Sequence, residues 1–450
     1  MRCLARIVAV VAVLGCTAGA PATSSCPSGT TLTNEAWAPV AWREPVKLCT
    51  CATNLHCRGP YCREPPGDPA FLLGCSSCAC LPTCADPFDC WREDCICPHA
   101  VTAAIPLRDP LLPHSPAQVQ AALKESFPTG VPQPSKFDRR YKNPCWEDDG
   151  GNLKCLPAFY IPGILKCATS ALYDVLAKHQ SVKPSYPKET HWWTRNRLPI
   201  NPAKGIALQD SRWLQNHARA VKNNADKGKD IVILEGSASM FWETPYGGVM
   251  VPELVHAIQP GVKFVLMIRD PAERLYSDYI YFSYRTLFNK NPATKQYKYN
   301  PEGFHLAVQQ SLKEVRRCLE AHPSRFCAWE QRRYRPVTQI QLGMYSEFLE
   351  TWLRYFPAKQ FLVVRKEDLS VEPRAFFNKV TDFLELDRLS DTQLFGPGGE
   401  KVKQSNVRSG GRKGMLDKTR VLLDEFYAPY NKKLAAMVGN PILDYTAAHT

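Results

Sequence analysis

The sequence predicts an α/β protein in which a P-loop-like parallel sheet carries helices on both faces, preceded by a small disulfide-rich module. Four short apolar runs, at 159–161, 231–234, 264–268 and 361–364, have the length of buried strands. Helical patterns separate these runs, and strands that alternate with helices favour a parallel sheet. The high density of cysteine near the N-terminus predicts the small module.

The N-terminal segment is typical of a secretory signal. Arg2 and Arg6 precede an apolar run from Ile7 to Leu14, and small residues follow. This run is shorter than the roughly 20 residues that cross a bilayer, so we expect cleavage, with a signal-anchor as the alternative. Residues 1–22 are therefore predicted to direct the chain into the secretory pathway.

Residues 23–97 form the predicted disulfide-rich module. Of the 19 cysteines, 12 lie between Cys26 and Cys97. An even number at such density in a secretory protein indicates a disulfide framework. Zinc knuckles are the alternative, although the cysteine pairs lack a regular CxxC…CxxC spacing.

A proline-rich segment separates this module from the rest of the chain. Eight prolines and little apolar periodicity predict a linker at 98–136. Ser115 followed by Pro116 indicates one short helix within it. The large domain is then expected at 137–450.

The charge predicts an acidic partner. The 450 residues are 44% hydrophobic and 22% charged, as in globular proteins, and their formal net charge is +13 at pH 7. Such a surface suits nucleic acid, anionic lipid or a polyanionic glycan. No motif that reads DNA or RNA is present, so no nucleic-acid partner is expected.

A compact loop after the first apolar run is a candidate anion site. It carries Lys166 and ends at Thr169 and Ser170, where a helical pattern begins. Backbone N–H groups and the positive end of the helix dipole meet at such a turn, so the lysine and hydroxyls indicate a seat for phosphate or sulfate. The candidate residues are Lys166, Cys167, Ala168, Thr169 and Ser170.

A second candidate anion site follows the run at 264–268. Arg269 comes directly after the run, and Asp270 with Pro271 predicts the start of a helix. Arg269 and Ser277 could grip one anion, the arginine by its charged fork and the serine by its hydroxyl. Ligands of parallel sheets bind beyond the carboxyl ends of the strands, so both candidate sites are expected at one edge.

The segment from Pro187 to Trp193 places polar groups beside two tryptophans, which suits a sugar-binding cleft. Glu189 and His191 lie two residues apart and would point the same way in an extended chain, so either could be a general base. The candidates for substrate binding are Lys188, Trp192 and Trp193, together with Ser237 and Ser239 after the run at 231–234.

The loop around Lys166 resembles the 5′-phosphosulfate loop of sulfotransferases that use 3′-phosphoadenosine 5′-phosphosulfate (PAPS). The shared feature is a lysine that precedes the Thr169-Ser170 pair, whereas an ATP-binding P-loop has its lysine after the second glycine. Leu165 and Ala168 stand where the family usually has proline and glycine.

The stretch from Arg269 to Ser277 resembles the same family's 3′-phosphate motif, Arg-x-Pro-x-x-Arg-x-x-Ser, without a departure. The resemblance covers roughly residues 137–440 and implies the sulfotransferase fold. The letters ERLYSDYIYF and KETHWW are most similar to the carbohydrate sulfotransferases that modify N-acetylgalactosamine (GalNAc).

The resemblance implies a reaction in which PAPS donates its sulfuryl group to a sugar hydroxyl of a glycosaminoglycan. The expected acceptor is a polyanionic chondroitin- or dermatan-type glycan modified at GalNAc 6-O, with heparan-type O-sulfation as the alternative. Glu189 would be the base, with Lys188 and His191 beside it. Lys166 would neutralise charge on the bridging oxygen, and no metal is expected.

Further features follow from the resemblance alone. Arg412, Lys413 and Gly414 would cover the nucleotide, and Cys318 and Cys327 would form a disulfide. The expected location is the Golgi lumen, with a membrane tether only through the N-terminal segment.

Three other functions stay open. A P-loop kinase would need magnesium and a differently placed lysine. A PAPS- or glycan-binding protein with little activity would be consistent with the departures at Leu165 and Ala168. A cysteine-rich adhesion protein would account for the N-terminal module but not for the paired anion motifs.

Overall fold

The computed structural model of the chain describes residues 48–50, 56–58, 113–127, 129–196, 207–243, 249–282, 300–329, 337–397 and 414–445. The predicted signal, most of the cysteine-rich module, and Arg412 with Lys413 lie outside these ranges. Within the described part, no helix is long and apolar enough to span a membrane.

The chain divides into two units, one of residues 1–112 with 198–209 and one of 113–197 with 210–450. In the first unit, strands β1 (Leu48–Thr50) and β2 (His56–Arg58) pair in antiparallel fashion. In the second unit, the first two strands, β3 (Cys145–Glu147) and β4 (Leu153–Cys155), also pair in antiparallel fashion.

A five-stranded parallel sheet organises the second unit. Its strands are β5 (Phe159–Tyr160), β6 (Val182–Pro184), β7 (Val232–Glu235), β8 (Lys263–Ile268) and β9 (Phe361–Arg365). Their order in the sheet is β6-β7-β5-β8-β9, so β5 lies at the centre and the ends of β7 and β8 flank its own. The predicted parallel sheet with helices is confirmed.

The α-helices that accompany these strands begin and end as follows: α1 (Pro116–Ser126), α2 (Thr169–Leu176), α3 (Ala207–Ala225), α4 (Val251–Ile258), α5 (Pro271–Phe282), α6 (Pro301–Ala321), α7 (Ser324–Trp329), α8 (Tyr345–Trp352), α9 (Lys366–Val371), α10 (Pro373–Leu384), α11 (Asp391–Phe395) and α12 (Asp417–Val438). A π-helical turn spans Trp192–Asn196, and short 3₁₀ turns span Pro134–Lys136, Ile340–Gly343, Ala358–Gln360 and Pro441–Leu443.

The core is centred on β8. Its residues from Phe264 to Ile268 are fully buried, as expected for a strand covered on both faces. Trp352 of α8 stacks on Phe241, and its ring meets the ring of Phe264 edge-on at 5.1 Å. This aromatic cluster fixes one layer of helices against the strand that ends at the candidate anion site.

Helix α1 belongs to the core of the second unit, although the sequence places it in a linker. Ser115 caps it in a capping box, as its position before Pro116 predicts. Leu123 and Phe127 are buried in the same hydrophobic cluster as β8. The packed unit therefore begins before the boundary that proline content suggests, because a short amphipathic helix can supply core residues within a proline-rich segment.

Two disulfides fasten this unit. Cys318–Cys327 joins the end of α6 to α7, as the family resemblance implies. Cys145–Cys155 joins β3 to β4 at directly opposed positions. The second pair was not predicted.

Candidate functional site

The start of the candidate anion loop is anchored to β8 by two main-chain hydrogen bonds. The N–H of Ile164 donates to the carbonyl of Met267 at 2.8 Å, and the N–H of Met267 donates to Gly163 at 3.0 Å. Strand β8 thus holds the loop that follows β5, and α2 starts at Thr169 just beyond it. The two candidate anion motifs are therefore direct neighbours at the carboxyl edge of the sheet.

Two loop residues adopt left-handed backbone conformations. Lys166 has φ of 67° and Ala168 has φ of 65°, values that glycine adopts at little cost. Ala168 is also the N-cap of α2, where no side chain caps the first turn. The first amides of a helix have no partner within the helix, so the uncapped turn at Thr169 and Ser170 offers N–H groups to an anion.

Cys167, which lies between Lys166 and Ala168, is buried and is hydrogen-bonded within the loop. Its N–H donates to Ile164 at 3.1 Å, and burial raises the pKa of its free thiol to about 12. Its Sγ lies 3.9 Å from the hydroxyl of Tyr345, which donates to the carbonyl of Arg269 at 2.9 Å. Tyr345 therefore ties the two anion motifs together from within the core.

The ammonium of Lys166 points toward the helix of the second motif. Its Nζ lies 3.7 Å from the centre of the Tyr281 ring, near the end of α5. A cation over an aromatic face is held electrostatically, so the contact orients the lysine across the gap between α2 and α5.

Arg269 leaves β8 where the sequence predicts, and Asp270 caps α5 by accepting the N–H groups of Ala272 and Glu273. The guanidinium of Arg269 lies 3.0 Å from Glu273 Oε2. Ser277 is half-buried one helical turn after Glu273 and shares its face. A phosphate bound between Arg269 and Ser277 would take the place of the Glu273 carboxylate.

The second arginine of this motif, Arg274, has a structural role. Its side chain is fully buried, and it donates to the carbonyl of Gln339 at 2.7 Å and contacts Asp278 at 3.3 Å. Arg274 thereby fastens α5 to the turn at Ile340–Gly343 and does not reach solvent.

Residues 188–191, which we call the base turn, hold three candidates, and one of them, Lys188, contacts the anion loop. Glu189 Oε2 accepts the N–H of Ala238 at 2.7 Å and lies 3.7 Å from His191 Nε2. Lys188 Nζ lies 3.6 Å from Glu189 Oε1 and donates to the Ser170 hydroxyl at 3.4 Å. The carboxylate is partly exposed, so an acceptor hydroxyl could reach it from solvent.

Trp192 and Trp193 do not face a cleft, which corrects their assignment to sugar binding. Each is 2% exposed. Trp192 packs on Phe127 and stacks on Trp213, because the π-helical turn directs both indoles into the core. The aromatic residue that solvent reaches before the base turn is Tyr186, which is 88% exposed.

Ser237 and Ser239 also support the base turn rather than contact solvent, a further correction. Both are buried. Ser237 Oγ accepts the N–H of His191 at 2.8 Å, and Ser239 Oγ lies 2.7 Å from His191 Nδ1. Ser237 in turn donates to Glu235, a buried carboxylate that sequence reasoning missed. The sequence feature that could have identified Glu235 is its position as a charged residue at the end of an apolar, fully buried strand.

Gly414, the described residue of the predicted late loop, is exposed just before α12 begins. Arg420 of that helix pairs with Asp270 and, at 3.6 Å, with Glu273. The C-terminal helix is therefore attached to the capped start of α5.

Comparison with known proteins finds similarity to sulfotransferases. Residues 250–394 match the sequence model described as the sulfotransferase domain. Carbohydrate sulfotransferase 15 of Mus musculus is 33% identical over 320 residues, which is 64% of this chain and 54% of that protein. Heparan sulfate glucosamine 3-O-sulfotransferase 6 of Homo sapiens is 25% identical over 304 residues, covering 64% and 74%.

This chain thus spans about half the length of the first of these relatives. Among solved structures, a sulfotransferase from Alicyclobacillus acidocaldarius superposes with a TM-score of 0.42 at 20% identity, covering 66% of this chain and 99% of that one.

Proposed function

We propose that this protein transfers the sulfuryl group of PAPS to a sugar hydroxyl of a glycosaminoglycan, a proposal supported by the match of residues 250–394 to the sulfotransferase domain. The observation that carries the proposal is the meeting of three groups at one edge of the sheet. These are the uncapped loop with Lys166, the motif that starts at Arg269, and the base turn with Glu189.

The donor would bind across the two anion motifs. Lys166, Thr169 and Ser170 would hold the 5′-phosphosulfate, because a lysine, two hydroxyls and free helix amides all favour an anion there. Arg269 and Ser277 would hold the 3′-phosphate, the group that distinguishes PAPS from adenosine 5′-phosphosulfate. The main-chain pairing of the loop with β8 supports this arrangement by keeping the two seats adjacent.

Catalysis would need one base and one cation. Glu189 would take the proton from the acceptor hydroxyl as the oxygen attacks sulfur. Lys166 would stabilise the negative charge that develops on the bridging oxygen of the leaving nucleotide. Lys188 contacts both Ser170 and Glu189, so a second ammonium would lie between the bound donor and the acceptor.

The acceptor is proposed to be a chondroitin- or dermatan-type chain modified at GalNAc 6-O. The 33% identity to carbohydrate sulfotransferase 15 supports this choice, and the net charge of +13 suits a polyanion. Tyr186 replaces the buried tryptophans as the proposed stacking surface for a sugar ring. The disulfides favour an oxidising compartment, in agreement with a Golgi location.

A second candidate is a protein that binds PAPS or glycan with little turnover. Two observations favour it: Ala168 occupies a left-handed position that suits glycine, and Glu273 is paired with Arg269.

Incubation with ³⁵S-labelled PAPS and a panel of natural and desulfated glycosaminoglycans tests the proposal. We expect label in chondroitin- or dermatan-derived disaccharides at GalNAc 6-O. Label in heparan disaccharides would instead identify a heparan-type glycan as the acceptor. PAPS binding without transfer to any glycan of the panel would favour the second candidate function.

Donor recognition can be tested separately at Arg269. Charged hydrogen bonds contribute roughly 1.5–3 kcal/mol, so Arg269→Ala should weaken PAPS binding about tenfold or more. Adenosine 5′-phosphosulfate, which lacks the 3′-phosphate, should bind parent and variant alike in calorimetry. Equal losses for both ligands would show that Arg269 does not read the 3′-phosphate.

A further inference from the structure

A buried carboxylate lies next to the base turn. Glu235 ends β7 and is 2% exposed. Its Oε1 accepts the hydroxyl of Thr190 at 2.9 Å and that of Ser237, and its Oε2 accepts the N–H of Ser237 at 3.1 Å. These donors are neutral, so hydroxyls and an amide, rather than a paired cation, compensate the buried carboxylate.

Residues 235–239, which we call the strand-end loop, contact the base turn through three successive residues of the loop. Ser237 Oγ accepts the N–H of His191 at 2.8 Å, and Ala238 donates its N–H to Glu189 at 2.7 Å. Ser239 Oγ lies 2.7 Å from Nδ1 of His191. Both polar residues of the base turn that could act as a base are therefore held by the loop that Glu235 begins.

The carboxylate also fixes the direction of the hydroxyl groups. An ionised carboxylate only accepts hydrogen bonds, so Thr190 and Ser237 must direct their hydrogens toward Glu235. Their lone pairs are then available to the N–H groups of His191, at 2.8 Å, and Trp192, at 3.3 Å. One buried group thus orders the hydrogen bonds of the two residues that follow Thr190.

The strand-end loop has little freedom to move. A Cβ at Gly236 would lie 2.6 Å from the Tyr173 ring, so the main chain packs directly on α2 at this point. Burial raises the pKa of Glu235, the neighbouring charge of Glu189 adds to this, and hydrogen bonds from Ser237 and Thr190 oppose it. Both oxygens of the carboxylate accept hydrogen bonds within this network.

We infer that Glu235 is a positioning residue for the proposed transfer: through Thr190 and Ser237 it sets the placement of Glu189 and His191 without contacting either substrate. This inference rests on the proposed function for its catalytic consequence. Its structural part, the dependence of the base turn on the buried carboxylate, stands on the hydrogen bonds alone.

The test uses Thr190→Val, which removes one hydroxyl at nearly constant volume, and Glu235→Gln, which replaces an accepting oxygen by a donor. Hydrogen exchange measured by mass spectrometry should show the amides of His191 and Ala238 exchanging about tenfold faster in both variants. In the transfer assay kcat should fall about ten- to hundredfold, since a small misplacement of a reacting group is costly. Affinity for PAPS should stay within about twofold.

Two further variants separate positioning from general destabilisation. Thr190→Ser keeps the hydroxyl and should recover most of the protection and turnover. Thr381→Val removes an equally buried hydroxyl, bonded to the carbonyl of Phe377 in α10, and should change neither the exchange of the base turn nor kcat.

Each outcome decides the matter. Unchanged exchange in Thr190→Val and Glu235→Gln overturns the inference whatever the activity of the parent. Faster exchange with unchanged kcat overturns the positioning role. A parent protein that binds PAPS but transfers nothing overturns the proposed function, and the exchange result then still decides whether Glu235 orders the base turn.

Discussion

At the scale of single residues, the anion loop depends on a backbone conformation that its sequence does not favour. Ala168 has φ of 65° and ψ of 25° at the N-cap of α2. A left-handed conformation costs a residue with a Cβ roughly 1–2 kcal/mol, and glycine avoids that cost. Alanine at this left-handed position is thus a source of local strain.

Replacing Ala168 by glycine should therefore stabilise the folded protein, despite the greater freedom of glycine in the unfolded chain. We expect the free energy of unfolding to rise by up to about 1 kcal/mol, seen as a higher melting temperature. Ala177→Gly is the matched control, because Ala177 has φ of −64° at the other end of α2 and glycine there should lower the melting temperature. A decrease for both variants would contradict the role assigned to the left-handed turn.

Residue types did not predict which of the candidate side chains are exposed. Lys166 and Arg269 follow neighbouring strands, as their strand-end positions predict. Trp192 and Trp193 were expected to face a sugar, but they fill the core. Aromatic residues beside polar ones are typical of both a cleft and a core boundary, and only the π-helical turn distinguishes the two.

At the scale of elements, the packing of α3 onto β4 and β6 depends on a neutral histidine. His217 is buried, and its Nδ1 lies 3.2 Å from the carbonyl of Cys155, so Nδ1 carries the hydrogen. Its Nε2 therefore accepts from Ser185 at 2.8 Å, whose Oγ also accepts the indole N–H of Trp213 at 2.7 Å. Burial lowers the pKa of His217 from 6.5 to about 4.

This histidine predicts a loss of stability in mild acid. Below pH 6.5 the unfolded chain takes up a proton at His217, whereas the folded protein does so only near pH 4, so acid favours unfolding across that window. The loss should reach about 3 kcal/mol at its lower end. Melting temperatures of the parent and His217→Gln between pH 7 and about pH 4 should converge, since glutamine does not titrate. Parallel curves would show that His217 is not the responsible group.

Sequence patterns predicted the buried strands of the sheet and missed one that is mostly exposed. The apolar run at 264–268 and the Asp270-Pro271 helix start were read correctly because burial on both faces and capping chemistry are local. Strand β6, Val182–Pro184, was missed, since two of its three residues are exposed and it lies at the sheet edge. Helix α1 was predicted, but its place in the core depends on contacts far along the chain.

At the scale of the whole molecule, the net charge of +13 favours a polyanion as the acceptor of the proposed transfer. Exposed charges interact over about 10 Å at 0.1 M salt, so attraction of a polyanion should weaken as salt rises. The KM for a chondroitin-type polymer should increase several-fold between about 0.05 and 0.3 M sodium chloride. A short neutral oligosaccharide is the control and should show little change. A salt-independent KM for the polymer would favour a neutral glycan as acceptor.

The central claim is that Lys166 and Glu189 act on one donor and one acceptor at the carboxyl edge of the sheet. Steady-state transfer from labelled PAPS, measured with donor saturating and with PAPS affinity determined by calorimetry, tests it most directly. Lys166→Ala should reduce kcat about 10²–10³-fold, as expected for the loss of one charge-stabilising group. Glu189→Gln should reduce kcat about 10²–10⁴-fold with PAPS affinity retained, and His191→Ala should reduce it less. Near-parental turnover in both Lys166→Ala and Glu189→Gln would contradict the account, and a larger loss in His191→Ala than in Glu189→Gln would move the base to His191.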